Sequence, residues 1–94
     1  MTAALGLCEV CATRPAVAVL ATSVPYSAAY CRECAEAGAD PYWVIVANTA
    51  AVGGMSHANE WWRDQVERTL KHLDKSREGF DADVIIAMAE IDAQ

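Results

Sequence analysis

Cys8, Cys11, Cys31 and Cys34 fall into two Cys-x-x-Cys pairs, CEVC and CREC, with nineteen residues between them. Two intervening residues let a tight turn aim both sulfurs at one point while nearby backbone N–H groups stabilise thiolate charge. Two such pairs brought face to face complete a tetrahedron of soft donors. That set suits one Zn2+ ion, and sulfur at all four positions leaves none for an activated water, so the expected metal is structural and the chain non-catalytic. Iron accepts the same donors. The rival reading is a dithiol redox couple: a Cys-x-x-Cys at a helix N-terminus has a depressed thiol pKa, and Cys31 with Cys34 fits that placement. That rival leaves CEVC without a task, and the chain is short for the βαβ framework that accompanies such motifs.

These sulfurs need elements to carry them, and the chain is small. Ninety-four residues give a thin core, to which a metal commonly adds stability. Nineteen alanines inflate the 54 % apolar content and favour closely packed helices. No apolar run reaches the roughly 18 residues needed to cross a bilayer, and the opening MTAALGLCEV lacks the basic flank and long apolar region of a signal peptide. A cytoplasmic protein with no membrane partner is therefore expected, and in a reducing cytosol four cysteines do not persist as disulfides. The net charge of -6, more negative still with four thiolates on one divalent ion, disfavours indiscriminate binding to nucleic acid. Charge is uneven: residues 1–55 carry two basic and four acidic residues, residues 56–94 five and nine.

After CEVC, RPAVAVLAT and PYSAAY predict a short hairpin turning at TSVP, with Pro25 at a strand start and Tyr26, Ala28 and Tyr30 on one face. A short helix is expected from Cys31, stopped at Gly38. Asp40 and Pro41 read as the N-cap and first residue of a helix over PYWVIVANTAAV, closed by Gly53 and Gly54. Ser56 is expected to cap one long helix over residues 57–78. Trp62, Val66, Leu70 and Leu73 form its apolar stripe, Glu67 and Lys71 pair on its surface, and Gly79 ends it. Asp81 is then expected to cap a last helix, with Val84, Ile85, Met88 and Ile91 on one apolar face that docks on the domain or on a second copy.

The segment from CEVC to YCRECAEAGADP resembles a treble-clef zinc finger, in which a knuckle, a hairpin and the first turn of a helix build one site. Its spacing, and the aromatic residue before the second pair, are similar to the zinc-binding domain of ClpX and more loosely to the fingers of DksA and TraR proteins. The resemblance covers about residues 5–40 and implies zinc ligation by Cys8, Cys11, Cys31 and Cys34. In those families the finger serves protein contact or dimerisation. The chain has no GxxxxGK[ST] loop, so the ClpX ATPase is absent, as is the long coiled-coil arm of DksA. The whole chain also resembles small uncharacterised zinc proteins of bacteria and their phages, which implies the cytoplasm of a bacterium or of a phage-infected cell.

Outside the cysteines the signals are weaker. His57 and His72 lie at no ligand spacing from the sulfurs and read as surface or capping residues. Arg68, Lys71, His72 and Lys75 share a helical face that could meet a phosphate, yet Asp64, Glu67 and Asp74 are interleaved, as on a solvated surface. Of Trp43, Trp61 and Trp62, at least two are expected in the core, and one of the adjacent pair must face elsewhere. No Ser-His-Asp set, catalytic carboxylate pair or phosphate-cradling loop is present. The expected architecture is α+β: a finger over residues 1–40 packed on three helices over 41–94, together one domain. The expected role is a zinc-stabilised module that binds another protein or a second copy of itself. The alternative is a transcriptional regulator that contacts nucleic acid through Arg14, Arg32 or the 68–75 face.

Overall fold

The computed structural model describes residues 5–94. Strands β1 (Ala18–Ala21) and β2 (Ser27–Tyr30) form an antiparallel hairpin, with Ala18 opposite Tyr30 and Ala21 opposite Ser27. A short helix α1 (Arg32–Ala37) follows, then α2 (Tyr42–Ala51), a 3-10 turn (Met55–His57), α3 (Glu60–Leu73) and α4 (Arg77–Asp92). The class is α+β, an N-terminal hairpin beside the cysteines followed by three longer helices. Ala28 and Tyr30 face inward as their alternation predicts, but Tyr26 lies outside the strand and is exposed. Pro25 sits in the connecting turn rather than at a strand start. There the Thr22 hydroxyl donates to the Val24 carbonyl, and the Thr22 N–H to that of Tyr26.

The joint between hairpin and helices differs from the expected one. Gly38 does end α1, in the left-handed conformation at φ 66°, where a Cβ would be strained. Asp40, however, does not cap α2. Pro41 occupies the cap position, its carbonyl receiving the N–H groups of Val44 and Ile45, with no side chain bonded to the helix end. The Asp40 carboxyl turns instead toward the hairpin and α3. It accepts from the Ser23 N–H at 2.9 Å, from the Ser23 hydroxyl and from Gln65 Nε2 at 3.0 Å, and it is only 2 % exposed. Three donors from distant parts of the chain prevail over the one N–H that a cap side chain would accept at the helix start.

The long helix expected over residues 57–78 is broken. Asn59, not Ser56, caps α3 by accepting the Trp62 N–H at 2.8 Å. The helix stops at Asp74, which adopts the left-handed conformation at φ 54° and bonds back to the Leu70 and Lys71 carbonyls. A short polar side chain tolerates that conformation, so the break needs neither Gly nor Pro. Ser76 then caps α4 through the Gly79 N–H, which places Gly79 in a first turn rather than at an end. Asp81 caps nothing and pairs with Arg77 at 2.8 Å. Glu67 and Lys71 form no ion pair among the described residues.

Two apolar clusters result. One joins Ile45 of α2 to Trp62, Val66 and Leu70 of α3 and to Phe80 and Val84 of α4, and Trp62 Nε1 donates to the Thr49 hydroxyl at 2.9 Å. The other gathers Cys8, Val10, Ala28, Tyr30, Cys31, Cys34 and Ala39, with Leu73 packed against it. Only Trp62 of the three tryptophans is buried. Trp43 is 47 % exposed against the edge of Tyr26, and Trp61 is 58 % exposed, because α2 and α3 turn these rings away from the single face each buries. Ile85 and Ile91 are likewise exposed, so the inward stripe of α4 is Phe80 and Val84 flanked by Ala87 and Met88.

Candidate metal centre

The CEVC pair rides on a tight turn. The Ala12 N–H returns to the Cys8 carbonyl at 2.9 Å, Ala12 itself takes φ 58°, and the Cys8 N–H reaches the Arg14 carbonyl at 2.9 Å. Glu9 docks this turn on the outer edge of β2. Its N–H donates to the Ala29 carbonyl at 2.8 Å, and its carboxylate accepts the Ala29 N–H at 2.6 Å. The CREC pair is carried by β2 and α1: Cys31 is the N-cap of α1, and its sulfur accepts the Cys34 N–H at 3.5 Å. The hairpin thus folds one pair over the other. All four Sγ atoms lie within 4.8 Å of one another, and Cys11 and Cys31 approach to 3.9 Å. Sulfurs at about 2.3 Å from one ion in a tetrahedron stand about 3.8 Å apart, so this set fits a single metal ion with small adjustment. None of the four is joined in a disulfide.

Donors surround the sulfurs. Val10 N–H meets Cys8 at 3.4 Å, and Arg14 sends Nε to Cys31 at 3.4 Å and Nη2 to Cys34 at 3.8 Å while pairing with Glu33 at 2.6 Å. Burial pushes the Cys31 thiol up, but the Arg14 guanidinium and the Cys34 N–H outweigh it and hold the thiol below its ordinary value. Burial pushes the Cys11 thiol up, but the hydroxyl and N–H of Thr13, the Arg14 N–H and Cys34 together outweigh it and draw the thiol down to about 5. Cys34 moves the other way, raised by burial and by the three neighbouring sulfurs. One thiol held neutral by three others close by is what a cation at their centre would relieve.

The remaining candidates are dispersed. Contrary to the surface role expected for it, His72 enters the site, with Nε2 at 3.2 Å from Cys34 Sγ. Thirty-eight residues of separation hid this; the one local hint is that Leu73, its neighbour, belongs to the apolar stripe. His57 packs on Gly53, away from the sulfurs. The 68–75 face is divided: Arg68 donates to Gln65 Oε1 at 3.3 Å, and Lys75 lies 4.7 Å from the centre of the Tyr42 ring. Arg14 is turned onto the sulfurs.

No protein-family model, curated protein or solved structure matches the chain. What stands is four clustered cysteines beside a β-hairpin and a helix, a zinc-finger-like site that could hold one metal ion. Among the described residues no helix is long and apolar enough to cross a membrane.

Proposed function

We propose that the protein is a treble-clef zinc finger extended by three helices, a non-catalytic module that binds one structural Zn2+ and serves contact with another protein. The convergence of four sulfurs from CEVC and CREC within 4.8 Å carries this reading, because four thiolates saturate a tetrahedral ion and leave no site for a reacting water. It also gives CEVC the task that a redox couple would not. Exposed Trp61, together with Ile85 and Ile86 on the outer side of α4, supplies apolar surface for a partner or a second copy. A reducing cytoplasm, bacterial or phage-infected, suits the four unpaired thiols. The nucleic-acid alternative is less well supported, since Arg14 and His72 face the sulfurs and the net charge is -6.

Elemental analysis of protein purified without chelator is expected to give about one zinc per chain, and Cys34→Ser to lose both the metal and the folded hairpin. Metal-free wild-type protein would overturn the reading. For the contact surface, a partner recovered with the wild-type chain is expected to be lost on Trp61→Ala or Ile85→Asp. Salt-sensitive duplex binding retained by both variants would favour the regulator instead.

A further inference from the structure

We infer that His72 donates its Nε2–H to the Cys34 thiolate, and that through this bond α3 positions the metal site and tightens its hold on the ion. The inference rests on the four-cysteine metal reading above and adds to it a residue that no cysteine spacing identifies. Four observations support it.

The contact, 3.2 Å from Nε2 to Sγ, is closer than the N–H contacts that Val10 and Cys34 make to sulfur at 3.4 and 3.5 Å. A metal-bound thiolate has only lone pairs to offer, so the hydrogen must come from the imidazole, which fixes the Nε2–H tautomer. The side chain is also held in place from its own helix. Gln65, Thr69 and His72 stand at i, i+4 and i+7 on α3, and all three reach back into the N-terminal part of the chain. Gln65 Nε2 donates to the Gly38 carbonyl at 2.7 Å and to Asp40, Thr69 Oγ1 accepts the Asp40 N–H at 3.1 Å, and His72 reaches Cys34. Leu73, the next residue, packs against the cysteine cluster and so holds this end of α3 beside the site.

Charge gives the bond its purpose. Four thiolates and one divalent cation leave the centre with an excess of two negative charges, and Cys34 is its most buried sulfur. Arg14 approaches that sulfur from the finger, and His72 approaches it from α3. A donated N–H draws electron density from sulfur, which steadies a bound thiolate in a poorly solvated place and lowers its tendency to take a proton or be oxidised. Loss of such an outer partner typically weakens metal retention by about 10–100-fold.

The test uses the full chain loaded with Co2+ for spectroscopy and Zn2+ for affinity. His72→Phe keeps a ring without a donor, and His72→Gln returns an N–H near the Nε2 position. His72→Phe is expected to shift the sulfur-to-cobalt charge-transfer band to longer wavelength and to weaken zinc retention against a competing chelator by about 10–100-fold. His72→Gln should restore most of both, with the far-ultraviolet circular dichroism of the loaded proteins unchanged. If the phenylalanine variant does not fold with metal, His72→Asn, which withdraws the donor toward the Nδ1 position, replaces it with the same expectation. Identical bands and affinities in wild type and variants overturn the proposal, as does a glutamine variant no better than phenylalanine. X-ray absorption showing three sulfurs and one nitrogen on the wild-type ion overturns it too, by making His72 a ligand. A wild-type chain that takes up no metal at all removes the metal reading itself, a failure distinct from the others.

Discussion

Removing the Asp40 carboxyl tests the joint between hairpin and helices most directly. Asp40→Ala deletes three acceptor contacts, those to the Ser23 N–H, the Ser23 hydroxyl and Gln65 Nε2. A hydrogen bond to a charged group contributes about 1.5–3 kcal/mol, but the three do not add in full here. Ser23 is exposed, so both its donors return to water, and Gln65 Nε2 keeps the Gly38 carbonyl at 2.7 Å. Relief from burying the carboxyl offsets part of the rest, leaving a net loss of about 2–3 kcal/mol. For a chain of this size that lowers the melting temperature by roughly 10–20 °C. Urea denaturation followed by circular dichroism should show the same loss as a lower midpoint at unchanged slope. Asp40→Asn separates this account from a helix cap. As a cap, Asn would serve about as well as Asp. As the acceptor of three donors it fails, because its NH2 group must face Gln65 Nε2 in one orientation and the Ser23 N–H in the other. An Asp40→Asn variant within about 0.5 kcal/mol of wild type would mean that the carboxylate does not act as a three-way acceptor.

Two further outcomes follow from the same environments. Burial raises Tyr30 to about 12, assisted by the Asp40, Cys8, Cys34 and Glu9 charges, and burial with the hydrogen bond to Asp83 raises Tyr42 to about 12. Absorbance of the tyrosinate form should therefore show two phenols titrating near pH 12. From their ordinary value near 10 up to about 12, the unfolded state releases protons that the folded state keeps. The stability these phenols contribute is present below pH 10 and lost as pH rises to about 12, and stability rising over that window contradicts the assignment. In metal-free protein near pH 6 to 7, Cys11, half-buried and drawn down to about 5, should be alkylated before Cys34, whose thiol is raised; peptide mapping by mass spectrometry that found Cys34 modified first would contradict the site's electrostatics.

Local signals were legible in the chain. Cysteine spacing, the hairpin, the stop at Gly38, the Gly53–Gly54 close of α2 and the Trp62–Val66–Leu70 stripe each depend on residues within a turn or two of one another. What escaped sequence reasoning was decided at long range. Asp40 next to Pro41 carries every mark of a helix cap, yet Ser23 and Gln65, seventeen and twenty-five residues away, hold its side chain. The break at Asp74 uses no Gly or Pro, and Ser76 caps the next helix ahead of the more conspicuous Gly79 and Asp81. Periodicity gives α3 its buried face but not the fact that Gln65, Thr69 and His72 meet a second body of chain. Adjacency on one helix required either Trp61 or Trp62 to face out, but the outward turn of Trp43 as well had no signal, since an aromatic residue reads as core until the helix's partners are known.

The order of residues along α3 bears on how the protein is made. All four sulfurs precede residue 35, and their framework of turn, hairpin and short helix uses neighbours close in sequence, whereas Gln65, Thr69 and His72 lie thirty or more residues beyond the last cysteine. Local contacts form early and distant ones late, and a chain synthesised from its N-terminus accentuates that order. An ion captured by the nascent finger would meet Cys34 with only Arg14 beside it, and the imidazole would arrive when α3 closes over the joint. On this account the ion exchanges most readily during synthesis, and the last stretch of helix to dock serves as the latch.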